Sequence, residues 1–150
     1  AGLMVAQMKT LAIKARFLAG DGAQSPEFIK LAGAAADGVV ASSPGVPLDR
    51  MPGGKGFTER FNAKYGQIQI YAPFAYDAVM TLVDAMQKAN STQPAKYLPE
   101  LARISHQGVT GPIAFDEKGD LKGGPITLYV VKRGKWDTLE TVGGGAAPQK

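Results

Sequence analysis

Ala15-Arg16-Phe17-Leu18-Ala19-Gly20-Asp21-Gly22-Ala23-Gln24-Ser25-Pro26-Glu27-Phe28 carries a strand, a tight loop and a helix start in succession. The short apolar run Ala15 to Ala19 has the character of a strand buried in a parallel sheet, and Gly20-Asp21-Gly22 ends it. Ser25-Pro26-Glu27 then supplies an N-cap, a proline at the first helical position and an acid in the first turn. Phe28, Leu31 and Ala35 give that helix its apolar face, and Gly38 is expected to close it. Upstream, Leu3, Met4, Met8, Leu11 and Ala12 recur at helical spacing; downstream, Val39 to Ser43 reads as a second strand. Helix, strand, helix, strand over residues 3–43 predicts an α/β architecture with a parallel sheet.

Farther along, residues 44–56 hold three prolines and four glycines and read as a linker or crossover. Phe57, Phe61 and Tyr65 lie four apart on a helix that Gly66 ends, and residues 68–72 are expected to be extended. Pro73 opens the longest helical pattern, with Ala75, Ala78, Val79, Leu82, Val83 and Met86 as its predicted apolar face. A further helix runs from Pro94 to Ile104 with Tyr97, Leu98 and Leu101 inward. Val109 to Phe115 is strand-like, and Asp116 to Asp120 is a polar turn. Ile126–Lys132 and Trp136–Thr141 flank Arg133-Gly134-Lys135 as a hairpin.

The composition excludes several function classes. The 150 residues are 45% hydrophobic, enough for a core, and 17 Lys plus Arg against 13 Asp plus Glu leave a net charge of only +4. The basic residues are scattered without interleaved aromatics, which argues against a nucleic-acid surface. There is no cysteine for a disulfide, thiolate nucleophile or Cys-type zinc site, and His106 is the only histidine. Its neighbours Ser105 and Gln107 suggest an exposed loop. No run of 18 apolar residues occurs, and Ala1-Gly2-Leu3 lacks the basic and apolar regions of an export signal. Neither a Gly-x-Ser-x-Gly elbow nor a phosphate-binding glycine loop is present, and no serine has an evident base. No catalytic constellation, metal site or cofactor is expected.

Asp21 is the most informative acid. It lies between two glycines at the predicted carboxyl end of a strand, the edge at which open α/β sheets bind ligands. A carboxylate there can meet an ammonium group or a metal, and Gly20 and Gly22 let backbone come close to a bound molecule. The same tripeptide is also the composition of an ordinary turn whose Asp bonds nearby amides. Tyr71, Phe74 and Tyr76 span a predicted strand-to-helix junction, where aromatics wall a pocket or fill a core. Tyr71, ahead of the helix, is the better ligand candidate.

Taken in order, Arg16-Phe17-Leu18-Ala19-Gly20-Asp21-Gly22, Ala34-Ala35-Ala36-Asp37-Gly38-Val39, Phe57-Thr58-Glu59-Arg60-Phe61, Tyr71-Ala72-Pro73-Phe74-Ala75-Tyr76-Asp77-Ala78 and residues 108–120 form a specific series. The series resembles the C-terminal part of periplasmic branched-chain amino-acid-binding proteins, the substrate receptors of ABC importers. The resemblance covers residues 3 to about 142 and implies a fragment of a longer receptor with two doubly wound, mostly parallel lobes. Residues 1–46 would belong to the second lobe, 47–112 to the first and 113–122 to a hinge return. Residues 123–142 would close the second lobe as a hairpin, and 143–150 would be a flexible tail.

By the same resemblance, Asp21 matches the acidic residue that receives the ligand's α-ammonium group, with Gly20 and Gly22 beside it. Tyr71 matches an aromatic that touches the ligand from the other lobe. Asp in place of the Glu of some members shortens the reach by one methylene, so the preferred side chain can differ. The implied partners are a small amino acid or amide ligand, the membrane subunits of an ABC importer and the N-terminal part of the same receptor, not nucleic acid. An export signal is expected upstream and an extracytoplasmic location follows. The donors for the ligand's carboxylate would also lie upstream, so the isolated chain is expected to bind weakly or not at all. Two alternatives stand beside this one: a flavodoxin-like enzyme or regulatory domain with Asp21 as a metal or phosphoryl site, and a sensory domain on the receptor fold.

Overall fold

The computed structural model describes residues 1–144. The expected tail at 143–150 therefore lies, from residue 145 on, outside the described residues. In chain order the elements are α1 (Gly2–Thr10), β1 (Leu18–Ala19), α2 (Pro26–Ala32), β2 (Val40–Pro44), α3 (Gly54–Tyr65), α4 (Ala72–Lys88), α5 (Pro94–Ala102), β3 (His106–Gln107), β4 (Pro112–Ile113), β5 (Ile126–Lys132) and β6 (Lys135–Val142). They divide into two units, one of residues 1–46 with Pro125 onward and one of residues 47–124.

In the first unit, β1 and β2 run parallel with Leu18 opposite Val40, while β5 pairs antiparallel with both β2 and β6, in the order β1-β2-β5-β6. Val5, Phe28, Ala32, Ala36, Val39 and Val131 form its core, with Phe17 and Trp136 packed against them. The predicted helix start is realised: Ser25 Oγ accepts from the Phe28 amide at 3.1 Å, Pro26 is the first helical residue and Glu27 lies in the first turn. Trp136 joins that helix to the hairpin, its ring 5.6 Å from Phe28 and its indole N–H donating to the Ser25 carbonyl at 3.2 Å. Arg133 and Gly134, both with positive φ, make the two-residue turn that a right-twisted hairpin requires.

Two expectations for this unit are corrected. α2 stops at Ala32, not at Gly38, because Gly33 takes the positive-φ position at its C-terminus, and a 3-10 turn over Gly33–Ala36 follows. Phe28 and Ala32 point inward, whereas Leu31 is exposed. Gly2 lets α1 lie close to α2: a Cβ there would come within 2.8 Å of the Leu31 Cβ and 3.0 Å of the Phe28 carbonyl oxygen.

In the second unit, Gly66 ends α3 with φ 81°, as expected. Residues 68–72 are not a strand. The Ala72 amide donates to the Gln69 carbonyl, and Tyr71 is the N-cap of α4 with helical backbone angles. The strand-like stretch at 109–115 reduces to Pro112–Ile113, which pairs with β3. The buried stripe of α4 is Pro73, Asp77, Thr81 and Ala85, while Val79 of the predicted face is 58% exposed. Asp77 determines which face turns in. Its carboxylate, only 2% exposed, accepts from the amides of Val109 and Thr110, each at 2.8 Å, and from the Thr110 hydroxyl at 2.6 Å. Gly108 is required beside it, since a Cβ there would collide with the Asp77 carboxylate. Leu98 of α5, expected inward, is exposed.

Candidate functional site

Asp21 sits two residues beyond the end of β1 and opens a 3-10 turn over Asp21–Ala23. Because β1 and β2 are parallel, this turn lies at the carboxyl edge of that strand pair, where strand ends in α/β sheets present backbone to ligands. The turn is held by its own main chain: the Ala23 amide donates to the Gly20 carbonyl at 3.1 Å and the Gln24 amide to the Asp21 carbonyl at 2.9 Å. Asp21 is half-buried, and the glycines on either side are exposed.

The two glycines are informative because nothing inside the chain requires them. Gly20 has φ −81°, which any residue adopts, and Gly22 is not among the positive-φ glycines. A Cβ at either position would meet no atom within 4 Å. Gly108 and Gly54, by contrast, are crowded by Asp77 and by the Leu48 carbonyl. The backbone on both sides of Asp21 is thus open to close approach from outside.

In the other unit, Tyr71 precedes the first residue of α4, and its carbonyl accepts from the Ala75 amide at 2.8 Å. Its side chain is 48% exposed. Of its aromatic neighbours, Tyr76 packs its ring 5.3 Å from Phe57, and Phe74 is half-buried. Tyr71 therefore combines a fixed backbone with an accessible ring.

The remaining polar clusters are structural. Asp116 Oδ1 accepts from the amides of Lys118 and Asp120, both at 2.9 Å, so the acidic loop is a self-bonded turn, as expected. Asp37 accepts from the Arg133 amide at 3.0 Å and ties the end of the 3-10 turn after α2 to the hairpin turn. His106 is not in an exposed loop but on β3, half-buried, with Nδ1 3.2 Å from Asp84 Oδ2. That oxygen also lies 3.2 Å from Lys88 Nζ. The Lys88 hydrogen bond holds the Asp84 carboxyl below the usual carboxylate range against an opposing desolvation, and the His106 hydrogen bond adds a lesser contribution in the same direction. Among the described residues, no group of three or more His, Cys, Asp or Glu could hold a metal ion, and no helix is long and apolar enough to cross a membrane.

Sequence reasoning missed Asp77, because an acid inside a helix ordinarily faces solvent. The available signal was Gly108-Val109-Thr110-Gly111, a glycine-flanked loop whose two successive amides need an acceptor.

Comparison with known proteins agrees with this geometry. The sequence profile of the family described as periplasmic binding protein matches residues 2–135. The leucine-, isoleucine-, valine-, threonine- and alanine-binding protein of Pseudomonas aeruginosa is 33% identical over 129 residues, 85% of this chain and 34% of that protein. The crystal structure of a leucine-binding protein from Thermotoga maritima superposes with a TM-score of 0.81 at 30% identity, covering 94% of this chain and 41% of that one. An ABC transporter substrate-binding protein from Desulfitobacterium hafniense, solved in complex with Leu, gives a TM-score of 0.73 at 28% identity over 91% of this chain and 39% of that one. The chain spans about a third of the length of the curated relatives it matches. Its mixed α/β sheet, its ordered motifs and the profile match over most of its length agree: the chain belongs to the periplasmic binding protein family.

Proposed function

We propose that this chain is part of an extracytoplasmic solute receptor that captures a branched-chain or related small amino acid and delivers it to an ABC importer, without catalysing a reaction. Residues 1–46 and 123–142 serve in the second lobe of that receptor, 47–112 in the first, and 113–122 as the hinge return. In the full-length receptor, Asp21 receives the ligand's ammonium group, Gly20 and Gly22 admit it to the backbone, and Tyr71 covers its apolar part. The observation that carries this reading is the Gly20-Asp21-Gly22 turn, a carboxylate at a strand's carboxyl end between two glycines that neither backbone conformation nor packing requires.

The chemistry is that of capture. An amino acid brings an ammonium, a carboxylate and a side chain, and each must be satisfied once water is excluded. A charge-assisted hydrogen bond from ammonium to Asp21 contributes roughly 1.5 to 3 kcal/mol. Binding-protein relatives, one structure of which holds Leu, support an amino-acid ligand. The metal or phosphoryl alternative gains nothing from the structure, since among the described residues no carboxylate cluster assembles.

A chimera tests the proposal. In it, this chain replaces the equivalent 41% of the Thermotoga leucine-binding protein. Calorimetry should show leucine binding, weakened by about tenfold to a hundredfold in Asp21→Asn. An affinity indifferent to Asp21→Asn would overturn the site.

A further inference from the structure

The sequence holds two Asp-Gly dipeptides, Asp21-Gly22 and Asp37-Gly38, and the fold treats them differently. Asp-Gly is the pairing most open to self-modification, because a glycine puts no Cβ in the way as its amide nitrogen approaches the preceding side chain. At the second dipeptide both residues are tied to the hairpin. The Gly38 amide donates to the Val131 carbonyl at 2.9 Å, the Val131 amide returns a bond to the Val39 carbonyl at 2.9 Å, and Asp37 Oδ1 accepts from the Arg133 amide at 3.0 Å. At the first dipeptide the hydrogen bonds of the 3-10 turn come from the Ala23 and Gln24 amides. The Gly22 amide precedes both and, like the leading amides of any helical turn, has no carbonyl of that turn to bond. Gly22 is exposed, and a Cβ placed on it or on Gly20 would have no neighbour within 4 Å.

We propose that Asp21 converts spontaneously to isoaspartate through the Gly22 amide, and that Asp37, held by the hairpin, converts far more slowly. The Gly22 nitrogen attacks Asp21 Cγ. The new C–N bond closes a succinimide ring, and the carboxyl hydroxyl leaves with the amide proton as water. Water then adds to either ring carbonyl and breaks its bond to the nitrogen. Opening at Cγ restores aspartate; opening at the main-chain carbonyl leaves the chain running through Cβ and Cγ, with the carboxylate on Cα. One water leaves and one returns, and nothing is oxidised or reduced. In the product the carboxylate has lost a methylene of reach and the turn has gained one, which disables an ammonium receptor at this position. That consequence rests on the reading of Asp21 given above; the conversion itself does not.

The test uses the Thermotoga chimera, shown to unfold cooperatively in urea and then incubated at neutral pH in heavy-oxygen water. Each ring opening writes a heavy oxygen into the residue, and peptide mapping by mass spectrometry reads it. Label and the isoaspartyl peptide should build up roughly tenfold or more faster at Asp21 than at Asp37, whose hydrogen bonds must open first. In urea beyond the unfolding transition the two sites should react at matching rates, which assigns the difference to the fold. Gly22→Ala adds its Cβ in open space and should slow Asp21 while leaving Asp37 as it was. Leucine-binding capacity should fall in step with isoaspartate at position 21. Equal rates at the two sites in the folded chimera, or no label at Asp21 over a time that labels both sites in urea, would overturn the proposal. Full leucine capacity after Asp21 has converted would overturn the ammonium reading and leave the conversion standing.

Discussion

Replacing Asp77 with alanine removes the acceptor for three donors at once: the Val109 amide, the Thr110 amide and the Thr110 hydroxyl, at 2.8, 2.8 and 2.6 Å. The hydroxyl can turn to another partner, but the two amides are fixed by the backbone. Each buried amide left unsatisfied costs about 1–3 kcal/mol, so the substitution should cost about 4 kcal/mol in all. Asp77→Asn keeps the shape and one carbonyl oxygen, and should cost about 1–3 kcal/mol because its amide nitrogen cannot accept the second N–H. Against a typical unfolding free energy of about 5–15 kcal/mol, the alanine variant loses a large fraction of its margin. Urea unfolding followed by far-UV circular dichroism measures the loss. Hydrogen exchange locates it, since the amides of Val109 and Thr110 should lose protection before those of α3. A change below about 0.5 kcal/mol in Asp77→Ala, with both amides still protected, would refute the reasoning.

Two further outcomes follow from named contacts. Ser25→Ala removes the side-chain cap of α2 and should cost about 1 kcal/mol, read from urea unfolding by the emission of Trp136, whose indole rests on the Ser25 carbonyl. Lys88→Met removes the largest influence on Asp84. Because the Asp84 carboxyl titrates below the ordinary carboxylate value in the folded state, the stability it contributes is present above that ordinary value and lost as pH falls through the lower one. In Lys88→Met, the Asp84 carboxyl followed by NMR should titrate closer to the ordinary value, and the acid-side loss attributable to it should shrink.

How much of this was legible in the sequence depended on whether a feature is local. Ser25-Pro26-Glu27 set the start of α2 through contacts within one turn, and Arg133-Gly134-Lys135 marked the hairpin, although the connection is the two positive-φ residues Arg133 and Gly134, with Lys135 already paired to Lys132. The ends of elements were harder. Gly33 and Gly38 both take positive φ, at 56° and 81°, so composition alone does not say which one stops the helix. The inward face of α4 was misread because periodicity ranks residues by apolarity, whereas burial follows from the neighbour available. Asp77 meets amides 32 and 33 positions away, and it brings Pro73, Thr81 and Ala85 inward with it. At the candidate site, the Gly-Asp-Gly loop was visible as a strand-end turn. That neither glycine is needed for packing or conformation emerged only when their surroundings were known.

The most direct test of the capture reading is a thermodynamic cycle on the Thermotoga chimera, comparing leucine with 4-methylpentanoate, the same molecule without its amino group. If the carboxylate at position 21 meets the ammonium, Asp21→Asn weakens leucine binding by about tenfold or more and leaves 4-methylpentanoate binding unchanged. Equal losses for the two ligands would contradict the assignment of Asp21 as the ammonium receptor.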